Sequence, residues 1–142
     1  MLTQCVFGAC SRMVSKIGLD LRNIIKVGEK SESVKNISPL LTTNRSGIPG
    51  DDIVGTGPLI ELIELQAAEM LEKRLDNKHA SVGFFVDLNH KKPIHMGEFI
   101  KIITKVENVS QTKITFKASV MNPEGNIELG AGEHIRAIIP IQ

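Results

Sequence analysis

Three side chains in this sequence have the types needed to move an acyl group: the hydroxyl of Thr56, the carboxylate of Glu64 and the imidazole of His90. A hydroxyl can orient a carbonyl, a carboxylate can attack it or activate water, and an imidazole can carry the leaving group's proton. Thr56 stands where a helix begins. Unpaired N–H groups and partial positive charge there suit a polarised carbonyl or a developing oxyanion. Glu64 lies two turns further along. His90 leaves an apolar strand, just before the basic, Pro-containing turn Lys91-Lys92-Pro93. Each also has an ordinary explanation, as helix cap, boundary acid and loop histidine. The sequence alone does not show that they meet.

The element that must position two of them is Gly57–Leu75, GPLIELIELQAAEMLEKRL. Thr56 and Gly57 are acceptable N-caps, and Pro58 suits the first turn, where a missing N–H costs nothing. No further Gly or Pro interrupts the run, and Asp76-Asn77 closes it with turn chemistry. At about 100° per residue, Ile60, Ile63, Ala67, Met70, Leu71 and Leu75 gather on one side. Glu61, Leu65, Glu69, Glu72 and Lys73 mostly take the other. Glu64 breaks the sorting, projecting into the apolar sector, where a carboxylate must find a partner or reach water.

Around this helix the rest reads as strands. Ile24–Val34 alternates about one Gly and is expected as the first strand. Residues 37–52 are rich in Ser, Thr, Asn, Gly and Pro, the composition of a long surface loop, often a lid or binding loop. Ser81–Asn89 is apolar and β-prone, with Gly83 marking a bulge or close backbone approach. Glu98–Val109 turns Ile100, Ile102, Thr104 and Val106 to one face, and Lys113–Met121 does the same with Ile114, Phe116, Ala118 and Val120. Asn122-Pro123-Glu124-Gly125 is a turn, and Ile127–Ile141 is a last strand thinned by Gly130 and Gly132. The expected order is strand, loop, helix, then four strands in an antiparallel meander: one helix on one curled sheet, an α+β design.

The totals narrow the function classes. A chain of 142 residues makes one domain with a working core. A net charge of +1 and the absence of Trp and Tyr argue against nucleic acid as a partner. No apolar run approaches the ~20 residues that span a bilayer. Cys5 and Cys10 form neither a disulfide framework nor a zinc pattern, which suits a reducing compartment. Asp87 with His90, His95 and His134 matches no metal-ligand spacing, so no metal or other cofactor is expected. Residues 1–19 hold Arg12 and Lys16 but no acid. They read as an N-terminal arm or helix, as residues ahead of a true start at Met13, or as a mitochondrial presequence. Residues 1–22 are thus an extension or leader and 23–142 the domain. The compartment is the cytoplasm, or the mitochondrial matrix if residues 1–20 are a presequence.

The segment Gly55-Thr56-Gly57 through Ala67-Ala68, then Ser81-Val82-Gly83, His90, Pro93, Gly97 and GAGEHIR at Gly130–Arg136, resembles the hot-dog-fold thioesterases, in particular the fluoroacetyl-CoA thioesterase group. The similarity runs from about Ile24 to the C-terminus. It implies a hot-dog fold, one long central helix wrapped by a curved antiparallel sheet of about five strands, pairing as a homodimer with substrate between subunits. In that group a threonine before the helix, a glutamate eight residues later and a histidine leaving the next strand form the catalytic set. Thr56, Glu64 and His90 occupy those positions. Gly83 matches a site-shaping glycine, and Gly130, Gly132, His134 and Arg136 match a G-x-G-x-H-x-R motif.

The implied activity is hydrolysis of an acyl-CoA thioester, with Glu64 as nucleophile or general base, His90 assisting the thiolate and Thr56 holding the carbonyl or carboxylate. Gly57, Gly83 and Arg136 are the implied substrate-binding residues. The other reading is a non-catalytic hot-dog module that binds acyl-CoA as sensor or scaffold. The fluoroacetyl enzyme carries phenylalanines in a lid before the helix, whereas residues 36–50 here contain no aromatic. A different acyl group is therefore expected.

Overall fold

The computed structural model describes residues 18–38, 41–42 and 52–141. Residues 1–17 of the N-terminal extension, both cysteines and most of the expected loop at 37–52 lie outside the described residues. A short 3-10 turn at Leu21–Asn23 precedes β1 (Lys30–Asn36), α1 (Thr56–Glu72), β2 (His79–His90), β3 (Phe99–Val109), β4 (Lys113–Met121) and β5 (Glu128–Pro140). The strands form one antiparallel sheet in the order β1-β3-β4-β5-β2.

The alternation read in β3 and β4 is the packing that holds α1. Ile100, Ile102, Thr104, Val106, Ile114, Phe116, Ala118 and Val120 are all buried. From the helix, Leu59, Ile63, Ala67, Ala68 and Leu71 meet them. Burying each large aliphatic side chain contributes about 1.5–3 kcal/mol. The core falls into two clusters along the helix. Leu71 and Ala67 pack with Leu21, Ile25, Phe116 and Ile138 toward its C-terminus, and Leu59 and Ile63 pack with Ile37, Val54, Ile94 and Ile100 near its start.

Between the clusters sits a polar tie that the helical pattern did not disclose. Gln66 is buried, and its amide donates to Ser31 O at 2.9 Å and Ile102 O at 3.0 Å, while Ser33 Oγ donates to its Oε1. Both N–H groups and the carbonyl oxygen of the side chain thereby have partners, as a buried amide requires.

Two expectations are corrected. The first strand begins at Lys30 rather than Ile24. Asp20 caps the Leu21–Asn23 turn, Leu21 and Ile25 drop into the core, and Gly28 turns the chain at φ +97°. The strands after the helix are also not a four-strand meander. Only β3-β4-β5 is one, and β2 pairs with β5, from His79 opposite Pro140 to His90 opposite Gly130. The physical reason is the link at 91–98. Instead of a tight hairpin it is tied to the segment before α1, through Val54 N–H to Ile94 O (2.8 Å) and a bridge between Ile53 and His95. That lets it cross the helix end and deliver β3 to the other side of the sheet. Gly132 permits the β2–β5 contact, since a Cβ there would lie 2.1 Å from Asp87 O.

Candidate active site

Gly55, with extended backbone, is the N-cap, and no side chain caps the helix. Thr56 is therefore the first helical residue instead of the cap expected from sequence, and its hydroxyl remains for other use. It meets the imidazole of His90, the last residue of β2, with Oγ1 3.2 Å from Nδ1. The other ring nitrogen, Nε2, is buried and has no hydrogen-bond partner among the described residues. An orphaned buried nitrogen costs about 1–3 kcal/mol unless something outside the chain satisfies it. Next to Thr56, Gly57 carries one of the N–H groups a helix start leaves unpaired, and nothing stands within 4 Å of where its Cβ would be.

Glu64 lies elsewhere. Eight residues of helix put it about 12 Å along the axis from Thr56. Its half-buried carboxylate reaches over Gly83 of β2, where the pairing with β5 shifts between Gly83 and Phe85, the irregularity expected at that glycine. A Cβ on Gly83 would stand 3.1 Å from Glu64 Oε2, 3.6 Å from His134 Cε1 and 3.9 Å from Arg136 Nη1. The missing side chain is thus the space into which a carboxylate, an imidazole and a guanidinium converge.

Arg136 is only 8% exposed. Its Nε donates to Ser81 Oγ at 3.0 Å, Nη2 to Ser81 O at 3.1 Å and Nη1 to His134 Nε2 at 3.2 Å. Desolvation pulls its pKa below the ordinary guanidinium value, and the negative charges of Glu64 and Glu72 oppose that pull. His134 is fully buried, and desolvation likewise lowers its pKa, with Arg136 adding to the effect.

One chain therefore holds two separate clusters: Thr56 and His90 meet at the helix start, while Glu64 and Arg136 both border Gly83 two turns on. Between them β2 runs seven residues, about 23 Å of extended chain. The structure does not bring the carboxylate to the hydroxyl and imidazole within one copy. Among the described residues β2 is an edge strand, paired with β5 alone, with Val82, Phe84 and Phe85 exposed along it.

Other candidate groups are engaged. Asp87 Oδ1 accepts the Glu133 N–H at 2.8 Å, His95 pairs with Asp52 at 3.0 Å, and Lys91 pairs with Glu128. Among the described residues, no three His, Cys, Asp or Glu side chains are grouped to hold a metal ion, and no helix is long and apolar enough to cross a membrane.

A family model described as fluoroacetyl-CoA-specific thioesterase matches residues 37–142. The chain belongs to that family. It is accordingly an enzyme of the thioesterase class, and acyl-CoA thioester hydrolysis is its general chemistry. No curated protein sequence matches the chain. Among solved structures, it is similar to a hot-dog-like protein from Thermanaerovibrio acidaminovorans, at 23% identity and TM-score 0.77, over 86% of this chain and 89% of that one. A point mutant of the fluoroacetyl-CoA-specific thioesterase FlK, in complex with fluoroacetate and CoA, gives 21% identity and TM-score 0.72, over 81% and 95%. A thioesterase superfamily member from Thermus thermophilus gives 17% identity and TM-score 0.72, over 82% and 85%. At these identities the likeness establishes the hot-dog fold, the arrangement expected from the sequence.

Proposed function

We propose that the protein hydrolyses an acyl-CoA thioester at a site assembled from two copies, Glu64 of one facing Thr56 and His90 of the other. The observation that carries this reading is the pair of clusters lying along one unpaired strand edge. An edge strand offers a row of free N–H and C=O groups to another strand. Antiparallel pairing of β2 with a second β2, about a two-fold axis near Val86 and Asp87, would set Gly83 opposite the second copy's His90. The incomplete sets then become two complete ones, and the unsatisfied Nε2 of His90 gains a substrate to meet.

In such a site the thioester carbonyl lies against the helix start, where the Gly57 N–H, or that of Gly83 across the interface, takes the developing oxyanion. One such donor is worth about 10²–10³ in rate. The Glu64 carboxylate attacks the carbonyl carbon, or removes a proton from the water that does. The C–S bond breaks, His90 delivers a proton to the thiolate, and Thr56 fixes the ring. If a mixed anhydride forms, water cleaves it and restores the carboxylate. Single turnover in labelled water tests the anhydride: ¹⁸O in Glu64 requires it, with water attacking the Glu64 carboxyl carbon. The acyl group differs from fluoroacetyl, since residues 36–50 offer no aromatic lid. The catalytic unit is residues 23–142, with Leu21 of the preceding extension packed into its core. N-terminal sequencing of the mature protein reads whether residues 1–20 are removed.

The test is thiol release over short, branched, aromatic and long acyl-CoAs, followed by subunit mixing. Glu64→Gln and His90→Ala should each lower kcat by about 10²–10⁴. A mixed dimer of the two variants holds one of its two sites with both residues intact, and random exchange at 1:1 makes half the dimers mixed, so mixing should restore about a quarter of wild-type activity. A single-copy site would gain nothing on mixing. Release from no acyl-CoA, with tight binding of one, would make the protein a binding module instead.

A further inference from the structure

We propose that His134 is a positioning residue that aims Arg136 at the Glu64 carboxylate. This rests on Glu64 being the reacting carboxylate.

The side chain stands in the middle of a directional chain of hydrogen bonds. Its Nδ1 lies 2.8 Å from Phe85 O, a carbonyl that can only accept, so Nδ1 carries the proton. Its Nε2 lies 3.2 Å from Arg136 Nη1, a group that can only donate, so Nε2 presents a lone pair. Both ends require the same neutral tautomer. The ring stacks on Phe116, with centroids 6.4 Å apart and planes 23° from parallel, which fixes its rotation. His134 leaves no open position of its own: both nitrogens are spent inside the protein and none of its surface is exposed. What it controls is its neighbour. Ser81 holds Nε and Nη2 of Arg136, and His134 takes one N–H of Nη1. The guanidinium keeps one further N–H on each terminal nitrogen. Nη1 and Glu64 Oε2 both face the empty Cβ position of Gly83. A planar fork held at three points presents its remaining donors in a fixed direction.

A neutral ring is also what the surroundings impose. Arg136 on β5 faces it with positive charge and Glu64 on α1 with negative charge, and burial disfavours the imidazolium. Protonation would remove the lone pair and set two cations side by side. The arrangement holds above the lowered pKa of His134 and fails as pH falls through it.

The experiment compares His134→Phe, which keeps an aromatic ring on Phe116 but has no acceptor, with His134→Gln, whose amide both donates and accepts and does not titrate. Dimer mass and thermal melting establish that each is folded. His134→Phe should lower kcat about 10–100-fold, the usual cost of losing an outer partner of a site residue or of a 1 Å misplacement, with KM changed less than threefold. His134→Gln should recover most of kcat. In the wild-type protein, nitrogen-detected NMR should show the His134 ring as the Nδ1–H tautomer at about pH 7.5, above the ordinary imidazole range. Wild-type kcat in His134→Phe, equal losses in Phe and Gln, or an Nε2–H tautomer would each overturn the proposal. If His134→Phe does not fold, the Gln variant and the tautomer decide it. Retained kcat in Glu64→Gln would instead sink the site reading; loss there with none in His134→Phe would sink only the positioning role.

Discussion

The smallest residue in the site is the one with the sharpest consequence. Gly83 leaves a gap that three charged or polar groups share, and a methyl there would come to 3.1 Å from Glu64 Oε2. The carboxylate must give by a few tenths of an ångström. Gly83→Ala should therefore cut kcat about 3–10-fold while thermal melting stays near wild type, since the displaced group is a flexible side-chain end. Gly132→Ala should do the reverse. Its Cβ would lie 2.1 Å from the Asp87 carbonyl oxygen, so the β2–β5 pairing must open, at a cost of about 3 kcal/mol or more in urea denaturation. Glu64 could be singled out in the sequence because an acid among Ile60, Ala68 and Leu71 violates the helical pattern. Gln66 could not. Leu62, Ile63 and Met70 flank it at helical spacing, but which groups would satisfy a buried amide there is not written locally, because its partners on β1 and β3 come from distant sequence.

At the level of elements, the helix is tied to its sheet by grease at both ends and by an amide in the middle. Gln66→Leu keeps the volume but leaves Ser33 without its acceptor and removes the amide's bonds to Ser31 O and Ile102 O, so unfolding free energy should fall by about 1–3 kcal/mol, read from urea curves. At the helix end, Arg74 donates to Ile24 O at 2.9 Å and pairs with Glu29 at 2.7 Å, clamping the turn before β1. The guanidinium, aided by the Lys26 N–H, holds the Glu29 carboxyl below its ordinary pKa. A depressed carboxyl stabilises above its unfolded pKa and loses that contribution as pH falls through the folded value. Arg74→Ala should thus cost up to about 1 kcal/mol at pH 7, the pair being partly solvated, and less as the pH falls below about 4. The strands were legible because period-two alternation survives wherever one face is dry. Their neighbours were not. Pattern says which face of β2 is apolar, and nothing in the sequence says that the link at 91–98 carries the chain across the helix rather than back beside β2.

Over the whole molecule, the proposed chemistry and the proposed pairing share one edge. β2 exposes Phe84 at 60% and Phe85 at 44%, and among the described residues its outer rim has no strand beside it. Sedimentation should find two copies, and specific activity should fall when the protein is diluted below the dissociation constant of the pair. Constant specific activity in a monomer would disprove the shared site. The hot-dog architecture could be read in advance from motif order, because glycines, helix and late G-x-G-x-H-x-R motif fall on successive elements. That one copy separates its carboxylate from its imidazole could not be read, since spacing along a chain is silent about which end of a strand faces which turn of a helix.

The separation of Thr56 and Glu64 along α1 has one more consequence. Because a single rod carries both, it works as a gauge block whose length and twist set each reaction centre. Inserting or deleting one residue between positions 56 and 64 would rotate the carboxylate by about 100° and shift it by about 1.5 Å, spoiling both centres at once. Exchanging a solvent-facing residue such as Glu61 would go unnoticed. The segment should tolerate replacement at its wet positions, yet accept no change in length.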